Sequence, residues 1–242
     1  MKSVLHPLRA ALVSLCAASA LAVAPVASAA DYPARSISLI VGYPAGGSLD
    51  LTARLLGEEL GKRLGQTVVV ENVGGAGGSI GLQRVARSAP DGYTIGAGNL
   101  APMAVNPSLM PHLPYRADQD LAPIILIENS PLVLSVNNAL PVKNLQELIS
   151  LAKEKPGTVT FGSSGVGGAH HLSGEMFREQ AGIDIVHVPY KGGSPAAADL
   201  MGGHISMMFE MGYAALPAIQ SGKVHPIAVT SAQRAPYLPT VP

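Results

Sequence analysis

The chain has 242 residues, 48% of them hydrophobic and 13% charged, and its 16 basic side chains balance 16 acidic ones. So large an apolar fraction argues against a disordered chain. The lack of a basic excess argues against nucleic acid, whose phosphates are met by clustered Lys and Arg.

The chain opens with a basic start, Lys2 and Arg9, then an apolar run over residues 10–24 and the small-residue ending Ala27-Ser28-Ala29. This pattern reads as a secretory signal cleaved after Ala29. The run is shorter than the roughly 20 apolar residues of a membrane span, so direct membrane insertion is not expected after cleavage. Cys16, the one cysteine, leaves with the signal. The exported chain then has no disulfide to rely on, and its stability must come from a hydrophobic core. The bacterial periplasm is the expected compartment.

From Ser36 onward, strand-like and helix-like pieces alternate. Residues 38–43 form a β-rich run ending at the turn Pro44-Ala45-Gly46-Gly47. Ser48 is placed to cap a helix, with Asp50 in its first turn, where a carboxylate suits the dipole. Leu56, Leu60 and Leu64 recur every four residues and predict a buried stripe. A strand follows over residues 67–71, then the glycine loop of residues 74–78, a short helix from Ser79, and a strand over residues 93–98. Prolines at 102, 107, 111, 114 and 123 interrupt the pattern and mark a crossing.

The same grammar then resumes. Strands are expected over residues 124–127 and 132–136, and a helix capped by Asn144 runs to Lys153. A short strand over residues 159–162 leads into the loop Ser163-Ser164-Gly165-Val166-Gly167-Gly168 and a helix holding Leu172, Met176 and Phe177. Further strands are expected over residues 185–188, 205–209 and 227–229, with Pro195 opening another helix. The organisation read from this is a signal at 1–29, a first lobe at 30–105, a crossing at 106–123, a second lobe at 124–229, and the start of a return crossing at 230–242. Alternation of this kind implies an α/β fold of βαβ units with parallel sheets, and two lobes joined by a crossing leave a cleft.

Each lobe repeats one device, a strand whose end runs through a Gly/Ser loop into a helix: residues 43–50 and 162–171. Such loops aim backbone N–H groups and hydroxyls at the positive end of a helix dipole, and bind anions without Lys or Arg. Catalytic patterns fare worse. The glycine loops miss the dinucleotide spacing, and no phosphate-binding Gly-Lys-Ser/Thr step exists. Gly77-Gly78-Ser79-Ile80-Gly81 matches a nucleophile elbow, so a secreted serine hydrolase is the alternative, but a long loop stands where a sharp strand-to-helix turn is required. Adjacent His170 and His171 point apart and show no metal-ligand spacing; one is expected to contact ligand or cap the loop, the other to be solvated. No catalytic residue, cofactor or metal is expected.

Several blocks resemble the substrate-binding proteins of tripartite tricarboxylate transporters, also called Bug receptors. They are residues 43–50 (YPAGGSLD), Val70-Glu71-Asn72 with residues 75–78, residues 89–94 (APDGYT), residues 161–165 with His171-Leu172, and residues 188–193 (VPYKGG). The resemblance implies a two-lobed fold of the type II periplasmic-binding-protein kind, with the ligand cleft between the lobes. It implies a small carboxylate-bearing ligand, pinched between the two loops and presented to a membrane permease; a ligand sensor without a permease is the other possibility. Carried over, the ligand-binding positions are Gly46, Gly47, Ser48 and Asp50 with Ser163, Ser164, Gly165 and His171, and Tyr43 and Tyr190 are walls of the cleft. Two departures stand out: Ser206 occupies a position where the family commonly has Asp, and the chain stops where family members continue back into the first lobe.

Overall fold

The computed structural model describes residues 31–242, and the export signal expected over residues 1–29 lies outside the described residues. Residues 35–242 form one unit, and it carries two separate sheets.

The first sheet is parallel, with β1 (Ile37–Val41) between β2 (Val68–Asn72) and β3 (Thr94–Ala97). A central parallel strand is covered on both faces, which is why Leu39, Ile40 and Val41 are all but inaccessible. Helix α1 (Ser48–Leu64) packs on this sheet and ends at the left-handed Gly65. Its buried positions are Asp50, Ala53 and Gly57, while the leucine stripe expected to be buried is only half covered. The small residues win because the backbone lies close to the sheet: a Cβ on Gly57 would stand 3.4 Å from Val68 and 3.5 Å from Val70. After the 3-10 turn Ala76–Gly78, helix α2 (Ser79–Ala86) packs so closely on the end of β1 that a Cβ on Gly81 would fall 2.7 Å from Gly42. A π-helical turn (Ala101–Val105) and the short α3 (Asn106–Leu109) begin the crossing.

The second sheet has the order β6-β5-β7-β4-β8. Strand β4 (Leu132–Asn137) is buried along its whole length. Strands β5 (Thr160–Ser163), β6 (Val186–Pro189) and β7 (Met207–Met211) are mutually parallel. Here the expectation of parallel sheets needs correction, because β4 runs antiparallel to β7 and to β8 (Val224–Val229). The chain enters β4 from the crossing, so no β-helix-β crossover fixes its direction. Helices α4 (Leu145–Glu154), α5 (Ala169–Ala181), α6 (Gly193–Gly202) and α7 (Gly212–Gln220) cover the sheet. Asn144 caps α4 as expected, its side chain accepting from the Glu147 N–H at 2.9 Å. Along β7 the side chains alternate. Met207 and Phe209 join Phe161, Leu134 and Leu148 on one face, and Met208 joins Ala196 and Leu200 of α6 on the other.

The strand expected over residues 124–127 does not form. Its segment is irregular and Ile124, Ile125 and Leu126 are 80%, 76% and 79% exposed. A strand needs a neighbour to take its backbone hydrogen bonds, and none lies beside this run among the described residues. Residues 235–241 pack on the second sheet instead, Ala235, Leu238 and Val241 meeting Val133 and Ala215.

Candidate functional site

In the first lobe, the loop after β1 is held by Asp50. Its buried carboxylate accepts from the Gly46 N–H at 2.8 Å, from Arg54 Nε and Nη2 at 3.0 and 2.9 Å, and from Asn72 Nδ2 at 2.9 Å. Asn72 also bonds the Tyr43 carbonyl at 2.9 Å. Burial opposes ionisation of Asp50, yet the bonds from Arg54, Gly46 and Asn72 prevail and hold its carboxyl below the usual range. Asp50 is therefore the clamp of the loop, with its own bonding capacity filled inside the lobe. The cap of α1 is Gly47 rather than Ser48, and no side chain caps this helix. That leaves its first amides without an intrahelical partner and the half-buried Ser48 hydroxyl without a bond among the described residues. Tyr43 is buried; its hydroxyl donates to the Gly77 carbonyl at 2.8 Å, and burial pushes the phenol up to about 12. It braces the second glycine loop from beneath.

The second lobe repeats the arrangement with other residues. Ser163 is wholly buried, 2.6 Å from His187 Nε2 and bonded to both the N–H and the carbonyl of Gly165. His171 Nδ1 accepts from the Gly167 N–H at 3.2 Å, so its proton sits on Nε2, facing Glu175 at 3.7 Å. The rings of His171 and His187 lie 4.1 Å apart, and His187 stacks on Phe161 at 4.9 Å. Burial, then the neighbouring His171, lowers His187 to about 4, and burial lowers His171 as well. Ser163, His171 and His187 thus shape the loop from behind. In front, Gly168 caps α5 without a side-chain bond, and the half-buried Ser164 hydroxyl is unbonded among the described residues. Gly165 (φ 126°) and Gly167 (φ 83°) need glycine for this path. Tyr190 follows β6, and its hydroxyl donates to Asp199 at 2.6 Å.

The two lobes meet at these loops. Ser194 Oγ donates to the Ala45 carbonyl at 3.2 Å, and a Cβ on Gly192 would lie 2.8 Å from Pro44. On the other side, a Cβ on Gly77 would lie 3.1 Å from the Val166 carbonyl. Farther along α1, Tyr213 donates to Glu128 at 3.0 Å, so the Thr52 hydroxyl, also at 3.0 Å, donates to Tyr213. Gly46, Gly47 and Ser48 belong to the first lobe's loop, which meets the start of α6, and Ser164 and Gly165 to the second lobe's loop, which meets Gly77; these are the two candidate rims.

Several features were not read from the sequence. His170, expected with His171 to supply one solvated ring, is buried against Glu210, Nε2 to Oε1 3.2 Å. Arg54, Asn72 and His187 support the loops; of these only Asn72 stood in a recognised block. Ser79, the serine of the elbow-like motif, is buried and takes a bond from Asn106 at 2.8 Å, and it bonds no imidazole among the described residues. Ser206 bonds Thr160 at the opposite end of β5 from the loop, so its departure from Asp does not touch the rim. Among the described residues no cluster of three metal-ligating side chains exists, and no helix is long and apolar enough to cross a membrane.

Two α/β lobes that touch through their strand-to-helix loops make a two-lobed fold, in which α1 and α5 each start at a glycine without a side-chain cap. The chain belongs to the tripartite tricarboxylate transporter family receptors, whose pattern matches residues 52–242. It is 43% identical over 233 residues to Protein BugT of Bordetella pertussis (strain Tohama I), covering 96% of this chain and 71% of that protein. It is 36% identical over 211 residues to a UPF0065 protein from the tcbD-tcbE intergenic region of Pseudomonas sp. (strain P51), covering 87% of this chain and 62% of that one. Among solved structures it is similar to R. palustris Rpa4515 with adipate, with a TM-score of 0.86 at 36% identity over 88% of this chain and 71% of that one. It is also similar to MatC (Rpa3494) from Rhodopseudomonas palustris with bound malate, with a TM-score of 0.82 at 33% identity over 87% of this chain and 72% of that one.

Proposed function

We propose that this chain is the ligand-capturing part of a periplasmic receptor that closes on a small carboxylate and offers it to a membrane permease, without catalysis, cofactor or metal. The observation that carries this reading is the pair of glycine-capped, uncapped-by-side-chain helix N-termini, α1 and α5, each with a serine hydroxyl, Ser48 and Ser164, that is unbonded among the described residues. Helix N-terminal amides and hydroxyls are donors suited to a carboxylate. Gly46, Gly47, Ser48, Ser164 and Gly165 are the contacts in this reading; Asp50, Ser163, His171 and Tyr43 hold the loops, and Tyr190 walls the cleft. The adipate and malate held by two similar structures are both carboxylates, which supports the ligand class. The hydrolase alternative is disfavoured by the burial of Ser79, which bonds Asn106 and no base among the described residues.

The test is a thermal-shift and calorimetric screen of mono-, di- and tricarboxylates and amino acids, since a ligand that binds only the native state raises the melting temperature. A rise with at least one carboxylate and none with uncharged amides of the same size is the expected outcome. No rise with any carboxylate rejects the ligand class. Ligand-dependent retention of a membrane permease on the immobilised receptor separates transport from sensing.

A further inference from the structure

The crossing is tied to both lobes by a chain of three side chains that the candidate rims do not include. Residues 122–131 lie in no helix or strand, and among the described residues no backbone–backbone hydrogen bond holds them. Burial does not hold them either, since Ile124, Ile125 and Leu126 are exposed. Glu128 is the anchor of this run: its Oε1 accepts from the Tyr213 hydroxyl at 3.0 Å. Tyr213 is the second residue of α7, in the second lobe. The same hydroxyl lies 3.0 Å from that of Thr52, on α1 of the first lobe. A carboxylate oxygen only accepts, so Tyr213 gives its proton to the bond with Glu128, and Thr52 donates to Tyr213. Each bond strengthens the other, because a phenol whose proton is drawn toward a carboxylate accepts better. Burial, and Glu128 against the opposing Thr52 bond, push the Tyr213 phenol up to about 12, so the chain keeps its proton.

The two bonds differ in what they require. Gly212, the residue before Tyr213, has no room for a Cβ against the Tyr237 ring, and Ala235, Leu238 and Val241 around that ring pack on the second sheet. The start of α7 is therefore fixed within the second lobe. The Thr52 bond instead crosses between the lobes and forms only where α1 reaches α7. Thr52 stands four residues after Ser48 on α1, so the two share a face. Whatever draws Ser48 toward the second lobe draws Thr52 toward Tyr213.

We infer that Tyr213 couples ligand capture to the crossing: when the lobes touch around a carboxylate, Thr52 completes the chain and residues 122–131 are held firmly, and when the lobes part the run loosens. This rests on the carboxylate reading and adds to it a place on the outer surface, away from the rims, where occupancy is registered. The two-state element is the contact between the lobes, which the ligand and the Thr52–Tyr213 bond both favour. Tyr213 is a positioning residue in this scheme, acting through Thr52 on one side and Glu128 on the other.

The experiment places a nitroxide label on the crossing and reads its mobility with and without adipate, malate and the tightest carboxylate of the screen. Cys16 is the one cysteine of the chain, so Ile125→Cys in a Cys16→Ser background gives a single labelled site. Ligand should shift the label toward its slow component in the parent and leave it unchanged in Tyr213→Phe, although that variant still binds. Calorimetry on the same proteins supplies a double-mutant cycle. Thr52→Val should weaken binding roughly two- to tenfold in the parent and add nothing to Tyr213→Phe, because the bond is already gone. Should Tyr213→Phe fail to fold, Thr52→Val breaks the lobe-joining bond alone, and it must abolish the ligand-dependent shift of the label. A label that ligand slows equally in parent and variants, a label that ignores bound ligand in the parent, or additive losses in the cycle overturn the coupling and leave the carboxylate reading standing. If no carboxylate of the screen binds, the carboxylate reading and the coupling fall together.

Discussion

Ser194 Oγ donates to the Ala45 carbonyl across the cleft at 3.2 Å, joining the first turn of α6 in one lobe to the loop before α1 in the other. Beside it, Gly192 lies so close to Pro44 that a Cβ would come within 2.8 Å. Both contacts exist only while the lobes touch, so both should act on ligand affinity and little on the stability of either lobe. A neutral hydrogen bond contributes about 0.5–1.5 kcal/mol, so Ser194→Ala should weaken binding roughly two- to tenfold. Gly192→Ala should cost more, because overpacking a close contact is worth about 1–3 kcal/mol. Calorimetry with a carboxylate found by screening, alongside melting curves without ligand, checks both. A large drop in the ligand-free melting temperature of Ser194→Ala would contradict a role confined to the joined lobes.

The two rim hydroxyls should behave differently from the buried one. Bonds to a charged acceptor are worth about 1.5–3 kcal/mol, so Ser48→Ala and Ser164→Ala should each weaken carboxylate binding roughly ten- to a hundredfold, with melting temperatures near the parent. Ser79→Ala should do the reverse. It removes the acceptor of a buried Asn106 bond, which costs about 1–3 kcal/mol of stability, and leaves binding close to the parent. Unchanged affinity in both rim mutants would remove the two-loop carboxylate site.

Asp50 links stability to acid. Its folded pKa lies below the ordinary carboxylate value, so the bonds from Arg54, Gly46 and Asn72 stabilise the fold above the unfolded pKa, about 3.9. That stability is lost as pH falls through the lower folded pKa. Asp50→Asn keeps the shape but sets a neutral amide against the Arg54 donors. Its urea midpoint at pH 7 should fall, and its loss of stability between pH 5 and pH 3 should be shallower than the parent's. Parallel curves for the two proteins would show that the carboxylate charge contributes nothing to the fold.

The stacked imidazoles act in a milder range. The unfolded chain protonates His187 below its ordinary 6.5, while the folded chain resists until about 4. Between these values the unfolded state holds more protons, so stability declines as pH drops from about 6.5 to about 4; the lowered His171 adds in the same direction. His187→Gln should flatten this part of the curve, measured by urea unfolding at pH 7.5, 6 and 5. If parent and variant lose the same stability over that interval, the imidazole is not held neutral by the fold.

Much of the frame of the candidate site was legible because its grammar is local. A strand, a glycine turn and a helix start are set by neighbours in sequence, so Gly46, Gly47 and Ser48, and Ser164 and Gly165, could be placed at helix N-termini before any coordinates existed. The Asn144 cap was readable for the same reason. Local grammar failed where two neighbouring residues compete for one role. Ser48 looked like a cap, but the clamp of Asp50 on the Gly46 amide draws the helix start one residue back, to Gly47.

What the sequence determined by itself was the family, the α/β lobes and the two glycine loops that lead into helices, since each follows from residue order over a few positions. Tertiary structure alone decided the roles of charged and aromatic side chains. Asp50 meets Asn72 across 22 positions, Ser163 meets His187 across 24, and Ser194 meets Ala45 across 149. It also decided the reversed β4, the unpaired run at residues 124–127, and the burial of His170 against Glu210. The physical reason is that hydrogen bonds and burial depend on which atoms arrive within about 3 Å, and for residues far apart in the chain only the packing of sheets and helices brings them there.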